Sequence, residues 1–134
     1  MEFDLLIIDD DDLFLFLSKR EVIKNKIHSA PLLFQLATKA LNWLDEHSTN
    51  SNKDVVIFLD INMPEMDGWG FLDVLIEKKY LFPIKVVIVS SSTDPKDFMK
   101  AKEYKQVITY LEKPITSTSL EKIKVLNELS SYFG

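Results

Sequence analysis

Short apolar runs recur along the chain and are the clearest feature of its hydrophobic pattern. Four of them are close to continuous and rich in β-branched residues: Leu5–Ile8, Val55–Leu59, Ile84–Val89 and Val107–Leu111. Strands buried on both faces of a parallel sheet have this pattern, whereas half-exposed strands alternate apolar and polar residues. A fifth, weaker strand is predicted near residues 28–34, and its Pro31 places it at an edge of the sheet.

Segments with helical periodicity lie between these runs. A second helix of the chain is predicted where five apolar residues share one helical face: Leu36, Ala37, Ala40, Leu41 and Leu44. A third helix is predicted to begin at Asp67-Gly68, with three of its apolar side chains facing the core: Leu72, Leu75 and Ile76.

Two further helix starts are marked by capping residues. Asp94-Pro95 combines an N-cap residue with a proline at the first helical position. The last helix is predicted to begin near residues 116–119, where Thr118 and Glu121 have the spacing of a capping box. Four leucine and isoleucine side chains of this helix are expected to face the core: Leu120, Ile123, Leu126 and Leu129.

The segment after the first strand, Leu13–Asn25, has two interpretations. Its Leu-Phe-Leu-Phe-Leu run lacks a polar break and fits a strand, but its place between two strands and the charged stretch 19–26 favour a helix. The order is then strand and helix, five times over, which predicts an α/β fold with a doubly wound parallel sheet and helices on both faces. In such sheets ligands bind beyond the carboxyl ends of the strands.

Polar residues that can carry chemistry follow four of the predicted strands. Asp9 and Asp10 end the first strand, Asp60 ends the third, serines 90–92 end the fourth, and Lys113 follows the fifth. Because parallel strands end at the same edge, three carboxylates and one lysine are predicted to meet there, leaving two negative charges uncompensated. Two carboxylates about 4 Å apart repel by about 4 kcal/mol at an effective dielectric near 20. Oxygen ligands with this charge suit Mg²⁺.

The acidic run of residues 9–12 also has a simpler interpretation, as a solvated loop that caps a helix. Asp11 and Asp12 fit it, because negative charge is favourable at a helix N-terminus. His28 and His47 lie outside the predicted cluster and are weak evidence for a metal site.

Composition limits the class of protein. The 134 residues suit one domain, 1–134, and the hydrophobic content of 46% is enough for a core. The net charge of -5 argues against nucleic acid as a partner, and the absence of cysteine excludes thiolate chemistry. The sequence has no signal peptide, and no apolar run approaches the length of about 20 residues that a membrane helix needs. We therefore expect a cytoplasmic protein without membrane contact.

Four motifs in order resemble the response-regulator receiver domain of two-component signalling. They are "IIDDD", "IFLDINMPEMDGWGFL", "VVIVSSSTDPKD" and "YLEKP". The resemblance covers essentially the whole chain and implies the flavodoxin-like strand order 2-1-3-4-5. It also implies a single-domain regulator without an output domain.

The resemblance assigns roles to the acidic residues. Asp60 corresponds to the phosphoacceptor. Asp10, Asp60 and the main-chain carbonyl of Asn62 would ligate Mg²⁺, and Asp9 would act mostly through a metal-bound water.

The resemblance also assigns roles to the other residues of the predicted site. Lys113 would neutralise a phosphoryl oxygen, and the Lys113-Pro114 peptide is typically cis in the family. Ser90 stands where threonine is commoner, and with Tyr110 it would form the conformational switch. Tyr110 also fits an ordinary strand residue. The sequence departs from the family at Leu36-Ala37, where many members have an Asn-Gly turn.

These residues predict a phosphorylatable signalling switch that is not an enzyme. A sensor histidine kinase or phosphotransfer protein would phosphorylate Asp60, and a downstream protein would bind the face of the fourth helix, fifth strand and fifth helix. One competing hypothesis is a phosphohydrolase that phosphorylates a strand-end aspartate, but that chemistry uses a second acid where this chain has Asn62. The other is an interaction module that works without phosphorylation, because fold does not settle function.

Overall fold

One sheet of five parallel strands forms the centre of the molecule, and the strands, counted along the chain, lie in the order second, first, third, fourth and fifth. The computed structural model describes residues 2–133. Its strands are β1 (Phe3–Ile8), β2 (Leu32–Phe34), β3 (Asp54–Leu59), β4 (Ile84–Ser90) and β5 (Val107–Glu112). The predicted α/β fold and strand order are therefore confirmed. The weak strand is short and lies at an edge, with Pro31 directly before it.

Helices follow each strand. They are α1 (Asp12–Lys24), α2 (Ala37–Asn50), α3 (Gly68–Lys78), α4 (Pro95–Ala101), α5 (Ser117–Lys124) and a short α6 (Ser130–Phe133). The last predicted helix was expected to carry Leu126 and Leu129, but both lie beyond α5. Leu129 is nevertheless fully buried, because a turn in which Leu129 N donates to Leu126 O keeps the chain against the core.

Alternate residues of the central strands face two separate cores. Leu6 and Ile8 of β1 pack into the core under α2 and α3, whereas Leu5 and Ile7 pack into the core under α1 and α5. All four side chains are 0–1% exposed. Burial on both faces explains why the strands have continuous apolar sequences.

Side-chain caps fix where the helices begin. Asp11 is the N-cap of α1, Asp67 of α3 and Asp94 of α4, and each side chain accepts a main-chain hydrogen bond. The predicted capping box of Thr118 and Glu121 is wrong. Thr116 caps α5 instead and forms a capping box with Ser119, in which Ser119 N donates to Thr116 Oγ1 at 3.1 Å and Thr116 N donates to Ser119 Oγ at 2.9 Å. Thr116 has the extended backbone that a cap requires, whereas Thr118 already lies inside the first helical turn.

The ambiguous segment is helical, which confirms that interpretation. Its apolar residues do not all face inward: Leu15 is 4% exposed, but Leu13 is 64% and Phe16 56% exposed. In α3, the sequence pattern predicts that Ile76 faces the core, but its side chain is 48% exposed, so that prediction is wrong. One residue turns a helix by about 100°, which carries Ile76 away from the buried face that contains Leu75.

Candidate functional site at the carboxyl edge of the sheet

Main-chain hydrogen bonds hold the residues that follow the strands. Asp9 N donates to Phe34 O at 3.0 Å, and Asp60 N donates to Ile8 O at 3.0 Å. Lys113 N donates to the main-chain oxygen of Ser90 at 2.9 Å. The hydrogen-bonded ladders thus continue one residue past the strands, so the main chain of the site residues is held by the sheet.

Three carboxylates meet at this edge, as the sequence predicts. One oxygen each of Asp9, Asp10 and Asp60 lies within 4.8 Å of the other two. Asp9 and Asp60 are only 1% and 4% exposed, whereas Asp10 is exposed to solvent. Within residues 2–133, no other group of three acidic or histidine side chains has metal-ligand spacing. His28 and His47 lie elsewhere, where His28 contacts the main chain of Phe3 and His47 that of Lys53.

Lys113 is the cation of the site. Its Nζ lies 2.6 Å from Asp9 Oδ2 and 3.7 Å from Asp60 Oδ2. The same Nζ lies 4.3 Å from the centroid of the Phe14 ring. The peptide bond that follows, between Lys113 and Pro114, is cis.

Lys113 does not fully compensate the carboxylates. Burial, and then the charge of Asp9, raise the pKa of Asp60 from an ordinary 3.8 to about 6, against the opposing effects of Lys113 and the Asn62 N–H. Burial also raises the pKa of Asp9, although Lys113 opposes the rise. Both acids are therefore held in a site where their ionised forms are costly.

The loop between β3 and α3 closes against the acidic cluster. Asn62 N donates a long hydrogen bond of 3.4 Å to Asp60 Oδ1, and Gly68 N donates to Ile61 O at 3.0 Å. A Cβ atom at Gly68 would lie 2.7 Å from the main-chain oxygen of Asp60. The glycine after the Asp67 cap is thus required by the close approach of α3 to the end of β3.

A hydrogen-bonded loop joins the two predicted switch residues. Ser90 is fully buried, and its Oγ accepts a hydrogen bond from Ser92 N at 3.1 Å. The Tyr110 hydroxyl donates to the main-chain oxygen of Ser92 at 3.2 Å, and its ring lies 4.3 Å from that of Phe98. Ser90 and Tyr110 are therefore connected through Ser92, which also donates its hydroxyl to Asp97.

Two residues of the site were missed from the sequence. Phe14 contacts Lys113 across about 100 residues of chain, and no local pattern relates the two. The sequence places Ser92 among the serines that end the fourth strand and assigns it no role of its own. Its place two residues before the Asp94 cap is a signal for ordered turn hydrogen bonds that could have identified it.

A sequence profile of the response regulator receiver domain matches residues 5–124, which include all of these site residues. This chain belongs to the response-regulator receiver domain family. A two component response regulator from Cytophaga hutchinsonii has the same fold at a TM-score of 0.80 and 29% identity, covering 96% of this chain and 97% of that one. CheY in a CheX–CheY–BeF3–Mg complex from Borrelia burgdorferi gives a TM-score of 0.72 at 20% identity, over 91% of this chain and 86% of that chain, and shows the fold alone.

Curated relatives of this receiver domain are much longer proteins. A protein-glutamate methylesterase/protein-glutamine glutaminase from Shewanella oneidensis is 32% identical over 94 residues, which is 70% of this chain and 24% of that protein. The chain spans a third or less of the curated relatives that it matches. The similarity therefore does not extend to the whole of those proteins. As to membranes, no helix in the described part of the chain has the length and apolarity to cross one.

Proposed function

We propose that this receiver domain is a phosphorylatable signalling switch whose phosphoacceptor is Asp60. The observation that carries the proposal is the surroundings of the Asp60 carboxylate. It ends a central strand, is nearly buried, and has the Lys113 ammonium 3.7 Å away, with Asp9 and Asp10 beside it. A nucleophile, a cation and a rigid frame are what in-line phosphoryl transfer requires.

The transfer of a phosphoryl group to Asp60 forms one bond and breaks one bond. An oxygen of ionised Asp60 attacks phosphorus and forms an O–P bond, giving an acyl phosphate. The bond from phosphorus to the donor breaks, and its electron pair stays on the donor, which for a histidine kinase or phosphotransfer protein is an imidazole nitrogen. Lys113 lies where it can pair with a phosphoryl oxygen as negative charge gathers over the carboxylate.

The acidic cluster fits Mg²⁺. Asp10, Asp60 and the main-chain carbonyl of Asn62 would hold the ion, and Asp9 would act through a bound water. The donor set is all oxygen, and its three carboxylates carry more negative charge than the single ammonium of Lys113 can compensate. When bound, Mg²⁺ would supply positive charge beside the phosphoryl group.

A switch explains the site better than the two competing functions. A phosphohydrolase of the aspartyl-phosphate type uses a second acid as proton donor, and the residue two positions after Asp60 is Asn62, whose amide cannot do this. A module that works without phosphorylation gives no reason to keep two nearly buried carboxylates side by side. We therefore propose a stoichiometric switch that does not turn over an external substrate.

The output would pass through the loop between β4 and α4. On phosphorylation, the Ser90 hydroxyl would turn toward the new oxygens and give up the hydrogen bond that it now accepts from Ser92 N. The loop and Tyr110, which is bonded to Ser92, would then rearrange the face formed by α4, β5 and α5. A partner shifts this equilibrium only by its differential affinity for the two states, commonly about 1–3 kcal/mol.

Intact mass spectrometry with acetyl phosphate and Mg²⁺ separates the three functions. The switch predicts that one phosphoryl group per chain accumulates and later decays. Rapid hydrolysis of acetyl phosphate without a bound phosphoryl group would favour the phosphohydrolase. No reaction at all would favour the phosphorylation-independent module.

Backbone chemical-shift mapping tests the output path. Beryllofluoride with Mg²⁺ should perturb residues near Asp60 and also those near Tyr110 and α4. In Ser90→Ala, which lacks the hydroxyl, the distant changes should shrink while those near Asp60 remain. Perturbations confined to the ends of β1 and β3 in the unsubstituted protein would show that the coupling is wrong.

A further inference from the structure

Phe14 gives the site lysine a third contact that the proposed function does not use. Lys113 Nζ is held by Asp9 at 2.6 Å, by Asp60 at 3.7 Å, and by the face of the Phe14 ring at 4.3 Å from its centroid. Phe14 lies in the first turn of α1, three residues after the Asp11 cap. The first turn of α1, which follows directly after the carboxylates, therefore also places the Phe14 ring against Lys113, their counter-ion.

This contact differs from the other cation–aromatic pairs that the structure describes. Lys100 lies 5.0 Å from the Trp69 ring and Arg20 lies 6.0 Å from the Phe16 ring, so the Phe14 pair is the closest of the three. In the Phe14 pair the Lys113 side chain is only 20% exposed, whereas in the Arg20 pair the Phe16 residue is 56% exposed. Attraction between a cation and a ring strengthens when water is excluded, which favours the Phe14 pair.

A lysine has a flexible four-carbon stem, and its position over a carboxylate must be fixed by its surroundings. Only the ion pair with Asp9, at 2.6 Å, is short, and the distance of 3.7 Å to Asp60 leaves the ammonium room to turn about Asp9. The ring of Phe14 adds an attractive surface that carries no charge, so it holds the ammonium without joining the titration or the ligation of the acids.

We propose that Phe14 is a positioning residue for phosphoryl transfer, whose ring keeps the Lys113 ammonium beside Asp60. The inference rests on the proposed function. In the step concerned, with acetyl phosphate as donor, Asp60 forms the new O–P bond while the phosphorus–oxygen bond to acetate breaks and acetate leaves with the electron pair. No proton moves, so Lys113 acts only through the place of its charge.

Three variants test this role. Phe14→Leu keeps an apolar side chain and removes the aromatic face, Phe14→Tyr keeps the face, and Phe16→Leu removes the exposed aromatic two residues away on the same helix. With saturating Mg²⁺ and acetyl phosphate, Phe14→Leu should be phosphorylated about 5- to 20-fold more slowly. Phe14→Tyr and Phe16→Leu should stay within about twofold of the unsubstituted protein.

A spectroscopic signature separates positioning from general packing. A methylene group held over a ring has its proton resonances shifted upfield, so the Lys113 ε-methylene should show this shift in the unsubstituted protein and in Phe14→Tyr, and lose it in Phe14→Leu. Melting curves identify any variant that has simply unfolded. If Phe14→Leu unfolds, Phe14→Met provides the non-aromatic side chain instead.

The outcomes are distinct. An unsubstituted protein that is phosphorylated, together with a Phe14→Leu variant that is equally fast, overturns the inference and leaves the proposed function standing. Equal slowing in Phe14→Leu and Phe14→Tyr would also overturn it, because the aromatic face would then not be what matters. An unsubstituted protein that accepts no phosphoryl group overturns the proposed function and this inference with it.

Discussion

Asp60→Asn removes a nearly buried negative charge from the centre of the carboxylate cluster and keeps the size of the side chain. The amide oxygen can still accept the N–H of Asn62, which now bonds Asp60 Oδ1 at 3.4 Å. The variant loses attraction to Lys113, but it also loses repulsion from Asp9 and the cost of burying a charge. Because burial and Asp9 outweigh Lys113 in the pKa of Asp60, we expect the substitution to stabilise the domain in the absence of metal.

The size of the effect follows from the pKa. Asp60 titrates at about 6 in the folded domain against an ordinary 3.8, and each pH unit between the two values corresponds to about 1.36 kcal/mol. Ionised Asp60 therefore costs the folded state about 3 kcal/mol well above pH 6. Since Asp9 titrates in the same cluster and shares part of this cost, we expect a net gain of roughly 2–3 kcal/mol.

The sign depends on pH in a defined way. The pKa of Asp60 is raised on folding, so its contribution to stability is complete below about 3.8 and is lost as pH rises through about 6. Asparagine has no such loss. The two proteins should therefore unfold with nearly equal free energies near pH 4, and the variant should become the more stable one between pH 5 and 7.

Urea unfolding in EDTA buffers from pH 4 to 8 measures this difference directly. At pH 7.5 the midpoint of Asp60→Asn should exceed that of the unsubstituted protein by about 1–2 M urea. Asp67→Asn is a matched control, because asparagine caps a helix as well as aspartate does and the side chain is exposed. A difference in midpoint that is absent at pH 7.5, or that is the same at every pH, would show that the ionised Asp60 carboxylate does not destabilise the folded domain.

Three further predictions test the cluster and its frame. Millimolar Mg²⁺ should raise the melting temperature of the unsubstituted protein and have a much smaller effect on Asp10→Ala, which should be as stable or more stable without metal. A melting temperature that does not change with Mg²⁺ would contradict a metal site at the acidic cluster. Gly68→Ala should cost about 1–3 kcal/mol in urea unfolding, because its Cβ would lie 2.7 Å from a main-chain oxygen, whereas Gly70→Ala, whose nearest contact is a flexible side chain at 3.3 Å, should be neutral or stabilising. Thr116→Ala should lose about 1 kcal/mol with the α5 cap and Thr118→Ala should not; the reverse order would restore the capping box inferred from sequence.

Burial on both faces made the strands predictable. The apolar runs of β1, β3 and β4 are buried on both faces of the sheet, and the parallel order of the strands brings Asp9, Asp60 and Lys113 to one edge. This part of the site follows from topology alone, because residues that end parallel strands share an edge whatever their distance along the chain.

Details that depend on a single helical turn were not predictable in the same way. Ile76 has the spacing of an inward residue but lies one step around α3 from the buried face, and only the packing of α3 decides between the two. Thr116 and Thr118 both precede suitable partners, and the choice between them depends on where the helical backbone begins, which is at Ser117. The contact of Phe14 with Lys113 is set by how α1 lies on the sheet, which no local pattern records.

Peptide mapping can show whether Asp60 itself receives the phosphoryl group. After reaction with acetyl phosphate and Mg²⁺, borohydride reduction converts a phosphorylated aspartate into homoserine, which marks the residue. We expect homoserine at position 60 in the unsubstituted protein and no marked residue in Asp60→Asn. Homoserine at Asp9 or Asp10, or equal marking in Asp60→Asn, would contradict it.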